Sequence, residues 1–103
     1  MYQGTTPTLV LTLDDANLDG CTCYVTIKSG SKLVTKSGTD LDVSGNQISV
    51  MLSQDDTLGM TPGSVEIQAR WIDSNGNAMA SDVGKAKVSG VLYKQTIDYV
   101  EEG

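Results

Sequence analysis

The chain has 103 residues, 39% of them hydrophobic, which is enough for one domain with a single, modest core. It contains no Phe and one Trp, so Val, Ile, Leu and Met must supply most of that core. The net charge of −6 argues against binding to nucleic acid or to an anionic membrane, because both attract basic protein faces.

Neither a membrane helix nor a secretory signal is visible in the sequence. No apolar run approaches the roughly 20 residues that a membrane-spanning helix requires. The segment that begins at Met1 lacks the basic region followed by an apolar one that marks a signal peptide. If Met1 is the natural start, we expect the protein to be synthesised in the cytoplasm and not exported by this route.

Apolar and polar residues alternate with a period of two through most of the chain. This pattern predicts strands at residues 8–13, 21–28, 32–36, 47–52, 64–72 and 86–93. Clean alternation is typical of antiparallel sheets that have one face in water. Glycine-containing turn signals separate the runs, as expected for a sandwich or a barrel.

One set of alternate residues on each strand is expected to face the core. The predicted inward residues are Leu9, Leu11, Leu13, Cys21, Cys23, Val25, Ile27, Ile48, Val50, Leu52, Val65, Ile67, Ala69, Trp71, Ala86 and Val88, with Gly90 and Leu92 as weaker candidates. Trp71 alternates with outward polar residues, so it is predicted to anchor the core.

Residues 53–58 interrupt the alternation and are predicted to form one helical turn between two strands. Ser53 can cap this turn, and Asp55 and Asp56 would then lie at its positive end. Leu58 and Met60 can fold back onto the core before Pro62-Gly63 starts the next strand. The C-terminal tail, residues 93–103, is predicted to be either an extra strand or an arm that contacts a neighbouring copy.

Cys21 and Cys23 are spaced so that they share one face of a strand. Their Cα atoms would lie roughly 6.5–7 Å apart with parallel side chains, which is poor geometry for a disulfide. The chain has no His and no third Cys to complete a zinc site, and the spacing is not that of a C-x-x-C redox pair. We therefore expect two reduced, buried thiols, with a metal site or a redox pair as the less favoured alternatives.

The loop at residues 73–77, Asp-Ser-Asn-Gly-Asn, could be a calcium loop or a tight turn. An EF-hand loop that began at Asp73 would need Gly at its sixth position and Glu at its twelfth, where the chain has Ala78 and Gly84. Asn75-Gly76 between two alternating runs is instead the signal of a type I′ hairpin. We predict a hairpin and no metal; calcium bound between Asp73 and Asp82 would contradict this.

No set of residues suggests catalysis. The remaining acidic clusters, Asp14-Asp15, Asp40 with Asp42, and Asp55-Asp56, are each predicted to lie at a solvated turn or a helix cap. Without His, the usual Ser-His-Asp and Cys-His arrangements are impossible. The glycines are scattered and form no phosphate-binding loop. We expect a binding or structural protein with no enzyme activity, cofactor or small-molecule substrate.

The order of motifs resembles a known family. The chain opens with Gly4-Thr5-Thr6-Pro7 before the strand LVLTLDD, and residues 48–88 read ISVMLSQDDTLGMTPGSVEIQARWIDSNGNAMASDVGKAKV. These features resemble the immunoglobulin-like N-terminal domain of phage baseplate upper proteins and related small tail-associated proteins of phages and prophages. The resemblance extends over residues 3–92.

The resemblance implies an all-β, immunoglobulin-like antiparallel sandwich of about seven strands. It also implies a virion structural protein that is made in the cytoplasm, incorporated into the virion, and acts through contacts with other phage structural proteins, as a homo-oligomer. An alternative function is a carbohydrate- or cell-surface-binding module, in which Trp71 or Tyr24 would stack on a sugar.

Overall fold

The computed structural model describes residues 1–99, so Val100 and the three residues after it, which belong to the predicted tail, lie outside the described residues. Within this range the chain is an all-β, immunoglobulin-like antiparallel sandwich of eight strands in two sheets. The elements in chain order are β1 (Thr8–Thr12), β2 (Thr22–Ser29), β3 (Lys32–Ser37), a 3₁₀ turn (Gly38–Asp40), β4 (Leu41–Ser44), β5 (Gln47–Met51), α1 (Gln54–Leu58), β6 (Gly63–Ile72), β7 (Ala78–Ala80) and β8 (Gly84–Val88).

The described strands divide into a small and a large sheet. The small sheet has the order β1-β5-β4, and the large sheet has the order β3-β2-β6-β7, with β8 also paired to β6. All of these pairings are antiparallel. The two orders correspond to strands B-E-D and C′-C-F-G of an immunoglobulin-like Greek key, which confirms the predicted fold class.

Strands β7 and β8 form one bent edge along β6. Ala80 pairs with Arg70 and Gly84 with Ile67, so three residues on this edge oppose two on β6. The extra residue is a bulge, and it bends the edge strand. If β7 and β8 are counted as one edge strand, the sandwich has the predicted seven strands within residues 1–99.

Short glycine turns connect two of the hairpins. Gly30 joins β2 to β3 and Gly45 joins β4 to β5, in each case as the first residue of a two-residue loop. Their φ angles are 60° and 61°, whereas Ser31 and Asn46 have negative φ. This is the type II′ turn, which matches the twist of antiparallel strands.

The core lies between the two sheets. Its fully buried apolar residues are Leu18, Cys23, Val25, Ile27, Ile48, Val50, Leu52, Met60, Val65, Ala69, Trp71 and Val88. All but one of these belong to the predicted inward set or to the segment expected to fold back. The exception is Leu18, which lies in the loop between β1 and β2, where no periodicity identifies it.

Several predicted details are wrong. Leu92 and Gly90 are exposed, because the last strand ends at Val88. Strand β4 was not predicted, and it places Asp42 on a strand instead of at a turn.

Among residues 1–99 no helix is long and apolar enough to cross a membrane.

Candidate functional site

Helix α1 begins with a complete capping box. The Ser53 hydroxyl accepts a bond from the Asp56 amide (3.1 Å), and the Asp56 carboxylate accepts one from the Ser53 amide (2.9 Å). These bonds satisfy two of the donors that a helix N-terminus leaves free. The predicted role of Ser53, Asp55 and Asp56 at this turn is confirmed.

Asp56 also joins α1 to the edge of the large sheet. Its Oδ2 lies 2.8 Å from Nζ of Lys36, on β3, and both side chains are mostly buried. Partial burial works to raise the pKa of Asp56, but the Lys36 ammonium and the bonds from Ser53 outweigh it and hold the pKa below its ordinary value of 3.8. The carboxylate is therefore structural.

We expect Asp56→Asn to lower the free energy of unfolding at pH 7 by about 1 kcal/mol, because the ion pair and the charged cap are lost. Since the folded-state pKa is depressed, the carboxylate stabilises the fold above about pH 4 and stops doing so as the pH falls through the folded value. Urea unfolding should show a smaller difference in the free energy of unfolding between wild type and variant at pH 3 than at pH 7. Asp55→Asn, in the same turn, should lose less than about 0.5 kcal/mol; an equal loss would contradict the assignment.

The loop at residues 73–77 is a hairpin turn, but not of the predicted type I′. The Gly76 amide donates to the Asp73 carbonyl (3.1 Å), and the Asp73 amide donates to the Asn77 carbonyl (3.0 Å). Only Gly76 has positive φ (85°), while Asn75 does not. The loop is thus a type I turn followed by a glycine bulge, a three-residue hairpin connection.

The Asp73 carboxylate is engaged by this turn. It accepts bonds from the amides of Asn77 and Asn75, both at 2.9 Å. The bond from the Asn77 amide is the main reason that the pKa of Asp73 lies below its ordinary value. The sequence predicted correctly that the loop is a hairpin turn. It did not predict the turn type, in which the Asp73 carboxylate accepts these two backbone bonds.

The two cysteines are free thiols. Cys23 is buried, as expected, whereas Cys21 is half-exposed and its thiol lies 3.7 Å from the Asn17 carbonyl oxygen. Burial, and secondarily the neighbouring Cys21, raises the pKa of the Cys23 thiol. Cys23 is therefore protonated at neutral pH and packs as a small apolar side chain.

The other predicted acidic clusters lie at surface turns or on an edge strand. Asp14 and Asp15 form a turn after β1, with Asp15 at φ 60°, and Asp40 ends the 3₁₀ turn. Within residues 1–99, no three His, Cys, Asp or Glu side chains form a group that could hold a metal ion.

The two predicted stacking rings have different positions. Trp71 is only 9% exposed and packs in the core, as its alternation predicted. Tyr24 is 44% exposed on the outer face of the large sheet, where it pairs with Arg70 on β6.

The segment that follows β8 has no regular structure and lies on the surface. Every residue from 92 to 99 is exposed. Four of these are large apolar or aromatic side chains: Leu92, Tyr93, Ile97 and Tyr99. We call residues 92–99 the arm. Exposed apolar side chains gathered in one segment make the arm a candidate contact surface.

Two glutamine side chains hold the arm against the sandwich. Oε1 of the buried Gln3 accepts bonds from Nζ of Lys94 (2.7 Å) and from the Val91 amide (3.4 Å). The Gln54 amide bonds both backbone groups of Ile97, donating to its carbonyl (2.8 Å) and accepting from its N–H (2.7 Å). The arm is thus attached through polar contacts while its apolar side chains face water.

A cleft lies at one edge of the sandwich, between β1 and the bent β7–β8 edge. Its volume is about 560 Å³, and its apolar lining includes Leu9, Leu11, Leu13, Ile67 and Trp71. The three leucines point inward as predicted, but they are only half-buried because no strand covers them on this side within the described residues.

The arm and the cleft are the two surfaces that the sequence indicated least clearly. The sequence left the tail open as a strand or an arm, and the alternation in β1 does not reveal that one side of the strand is open.

Comparison of the chain with protein-family models, with curated proteins and with solved structures found no match.

Proposed function

We propose that this protein is a structural component of a phage or prophage virion, in the baseplate or tail, and that it acts by assembling with copies of itself and with other virion proteins. The observation that carries the assembly role is the arm, whose eight residues are all exposed and include four large apolar side chains. The virion assignment rests on the motif resemblance over residues 3–92.

The remaining surface is consistent with a protein that works by contact. The fold offers open strand edges, which extended segments of a partner can join through backbone hydrogen bonds. The net charge of −6 disfavours nucleic acid as the partner. Virion placement is tested by looking for peptides of this protein, by mass spectrometry, in purified particles of the phage or induced prophage that encodes it. Its absence from intact particles would reject this role.

We expect the full chain to self-associate, and Ile97→Asp to weaken that association by about tenfold or more. Ile97 is 63% exposed in the single chain, and burying such a side chain in a contact contributes about 1.5–3 kcal/mol. Light scattering over a range of protein concentrations measures the change.

Thr96→Asp is the matched control, because it puts the same charge on the adjacent, polar position of the arm. It should associate almost as wild type does. At concentrations where wild type is dissociated, both variants should unfold at the wild-type temperature, since exposed substitutions change stability by less than about 0.5 kcal/mol. A wild-type chain that stays monomeric at high concentration contradicts the homo-oligomer.

A second candidate function is carbohydrate or cell-surface binding. The observation in its favour is Tyr24, whose ring is exposed on the outer sheet face next to Arg70 and above the Thr26–Thr35 hydroxyl pair (3.0 Å). A flat polar surface with one ring suits stacking on a sugar. A glycan array with wild type and Tyr24→Ala tests this role, and it is rejected if wild type binds no glycan.

A further inference from the structure

The small sheet has three strands, one fewer than the large sheet when β7 and β8 are counted as a single edge strand. In the described part of the chain, β1 has β5 on one side and no strand on the other. The Leu13 N–H donates to the Asn46 carbonyl, and the Pro7 carbonyl accepts from the Leu52 N–H, which extends the β1–β5 ladder at both ends. Because bonded positions alternate in antiparallel pairs, the N–H and C=O groups of Thr8, Val10 and Thr12 point to the open side.

The open edge of β1 lacks the features that protect the other edges of residues 1–99. The edge strand β3 carries Lys32 and Lys36, β4 has four residues and carries Asp42, and the β7–β8 edge is bulged and carries two lysines. Charges, short strands and bulges all discourage pairing with another chain. By contrast, β1 has the uncharged sequence TLVLT.

The cleft of about 560 Å³ lies directly beside this edge. It lies under Leu9 and Leu11, whose side chains are half-buried, and its floor includes Trp71. An added strand would continue the small sheet over the β7–β8 edge and cover these side chains. The N-terminal segment cannot supply that strand, because its backbone is already bonded elsewhere. The backbone N–H of Gln3 donates to the Ser89 carbonyl, and the Pro7 carbonyl accepts from the backbone N–H of Leu52.

The arm has the length and pattern that this position requires. In extended form its eight residues span about 26 Å, which is longer than the roughly 17 Å of the five-residue β1. Tyr93, Ile97 and Tyr99 fall on one face of such a strand, with Gln95 between the first two, and the three apolar side chains are exposed in the single chain. This mainly apolar face would enter the cleft while the backbone pairs with β1.

The charges of the two surfaces can also match. The rim of the cleft carries both signs, with Asp14, Asp82 and Lys85 among its residues. The arm carries Lys94 and Asp98. An arm laid along the cleft can therefore place each of its charges near an opposite one, which favours a defined register.

The arm of the same chain leads away from this cleft. Its Thr96 lines a separate pocket together with Lys36 and Asp40, and no residue of the arm is among those that line the cleft. Its Ile97 is bonded to Gln54 there. No segment of residues 1–99 of the same chain therefore fills the cleft.

We propose that residues 92–99 of a second copy add to the open edge of β1 as a strand and fill the cleft between β1 and the β7–β8 edge. This inference rests on the proposed assembly function and names its contact surface. Association then occurs through arm exchange, in which each molecule can both donate an arm and receive one.

The test uses two variants of the full chain, one for each half of the contact. Val10→Pro removes an edge N–H without touching the bonds to β5, and Val10→Thr is its matched control because it keeps that N–H and a β-branched side chain. Ile97→Asp disables the arm and leaves the edge intact. Each disabling variant should weaken association, measured by light scattering, by about tenfold or more, and Val10→Thr should not.

Mixing the two disabled variants separates arm exchange from any other contact. Val10→Pro still has a working arm and Ile97→Asp still has a working edge, so the mixture should form one-to-one pairs although neither variant associates alone. If wild type associates and Val10→Pro associates equally well, arm exchange is overturned and assembly by another surface stands. A wild-type chain that is monomeric at all concentrations overturns both arm exchange and the homo-oligomer.

Hydrogen exchange provides a measurement that needs no variant. The amides of Val10 and Thr12 should exchange slowly in concentrated wild-type protein and at least about tenfold faster after dilution, because only the added strand protects them. The amide of Leu11, which lies on the β5 side, is the internal reference and should not depend on concentration. Equal protection of Val10 at both concentrations in an associated sample contradicts the proposal.

Discussion

Ile48→Ala is expected to lower the free energy of unfolding by about 2–5 kcal/mol, a large part of the 5–15 kcal/mol typical of a domain. Ile48 lies in the middle strand of the small sheet, between Leu11 of β1 and Val43 of β4, and is 0% exposed. Alanine there leaves a cavity between the sheets that the neighbouring strands cannot close. Urea denaturation monitored by Trp71 fluorescence measures the loss.

Met51→Ala is the matched control for this prediction. Met51 belongs to the same strand, but its side chain faces water and is 65% exposed. We expect this substitution to change the free energy of unfolding by less than about 0.5 kcal/mol. Similar losses for both variants would mean that the core does not lie between the sheets as described.

The second large effect is expected from Gln3→Leu, with a loss of about 1–3 kcal/mol. The buried Gln3 side chain donates to the Met60 carbonyl (2.6 Å) while it accepts from Lys94 and Val91. Leucine has a similar volume but leaves the Met60 carbonyl without its partner inside the protein. Thermal unfolding measures the loss, and hydrogen exchange at Val91 should quicken.

Gln47→Leu makes the same chemical change at an exposed position. Gln47 is at the surface of β5, where its amide reaches the Thr12 hydroxyl at a long 3.5 Å. Its substitution should cost less than about 0.5 kcal/mol. If Gln3→Leu is equally mild, the buried amide does not connect the N-terminal segment to the arm in the way described.

The fold could be predicted largely because long alternating runs leave little choice of structure. The run at β6 fixes which side of the strand holds Val65, Ala69 and Trp71, and all three are buried. Strand β4 was missed because its four residues, LDVS, are too few to show a period. Leu18 was missed because a loop residue is buried by tertiary packing and leaves no periodic signal.

The candidate site could not be predicted to the same degree. Alternation continues formally from Val88 to Leu92, but an alternating segment becomes a strand only if a neighbour accepts its backbone bonds, and Leu92 is fully exposed. The open side of β1 is likewise a property of the assembled sheet. The sequences TLVLT and TCYVTIKS look alike as strands, yet β2 is paired on both sides and β1 on one.

The pairing of β1 with β5 also determines how long β1 stays unpaired during protein synthesis. Thr12 pairs with Gln47, which is 35 residues further along the chain. At about 5–20 residues per second, a ribosome needs a few seconds to make that partner. During this interval β1 has no strand on either side, so the backbone groups along both of its edges are free. The order of synthesis thus leaves β1 unpaired until β5 has been made.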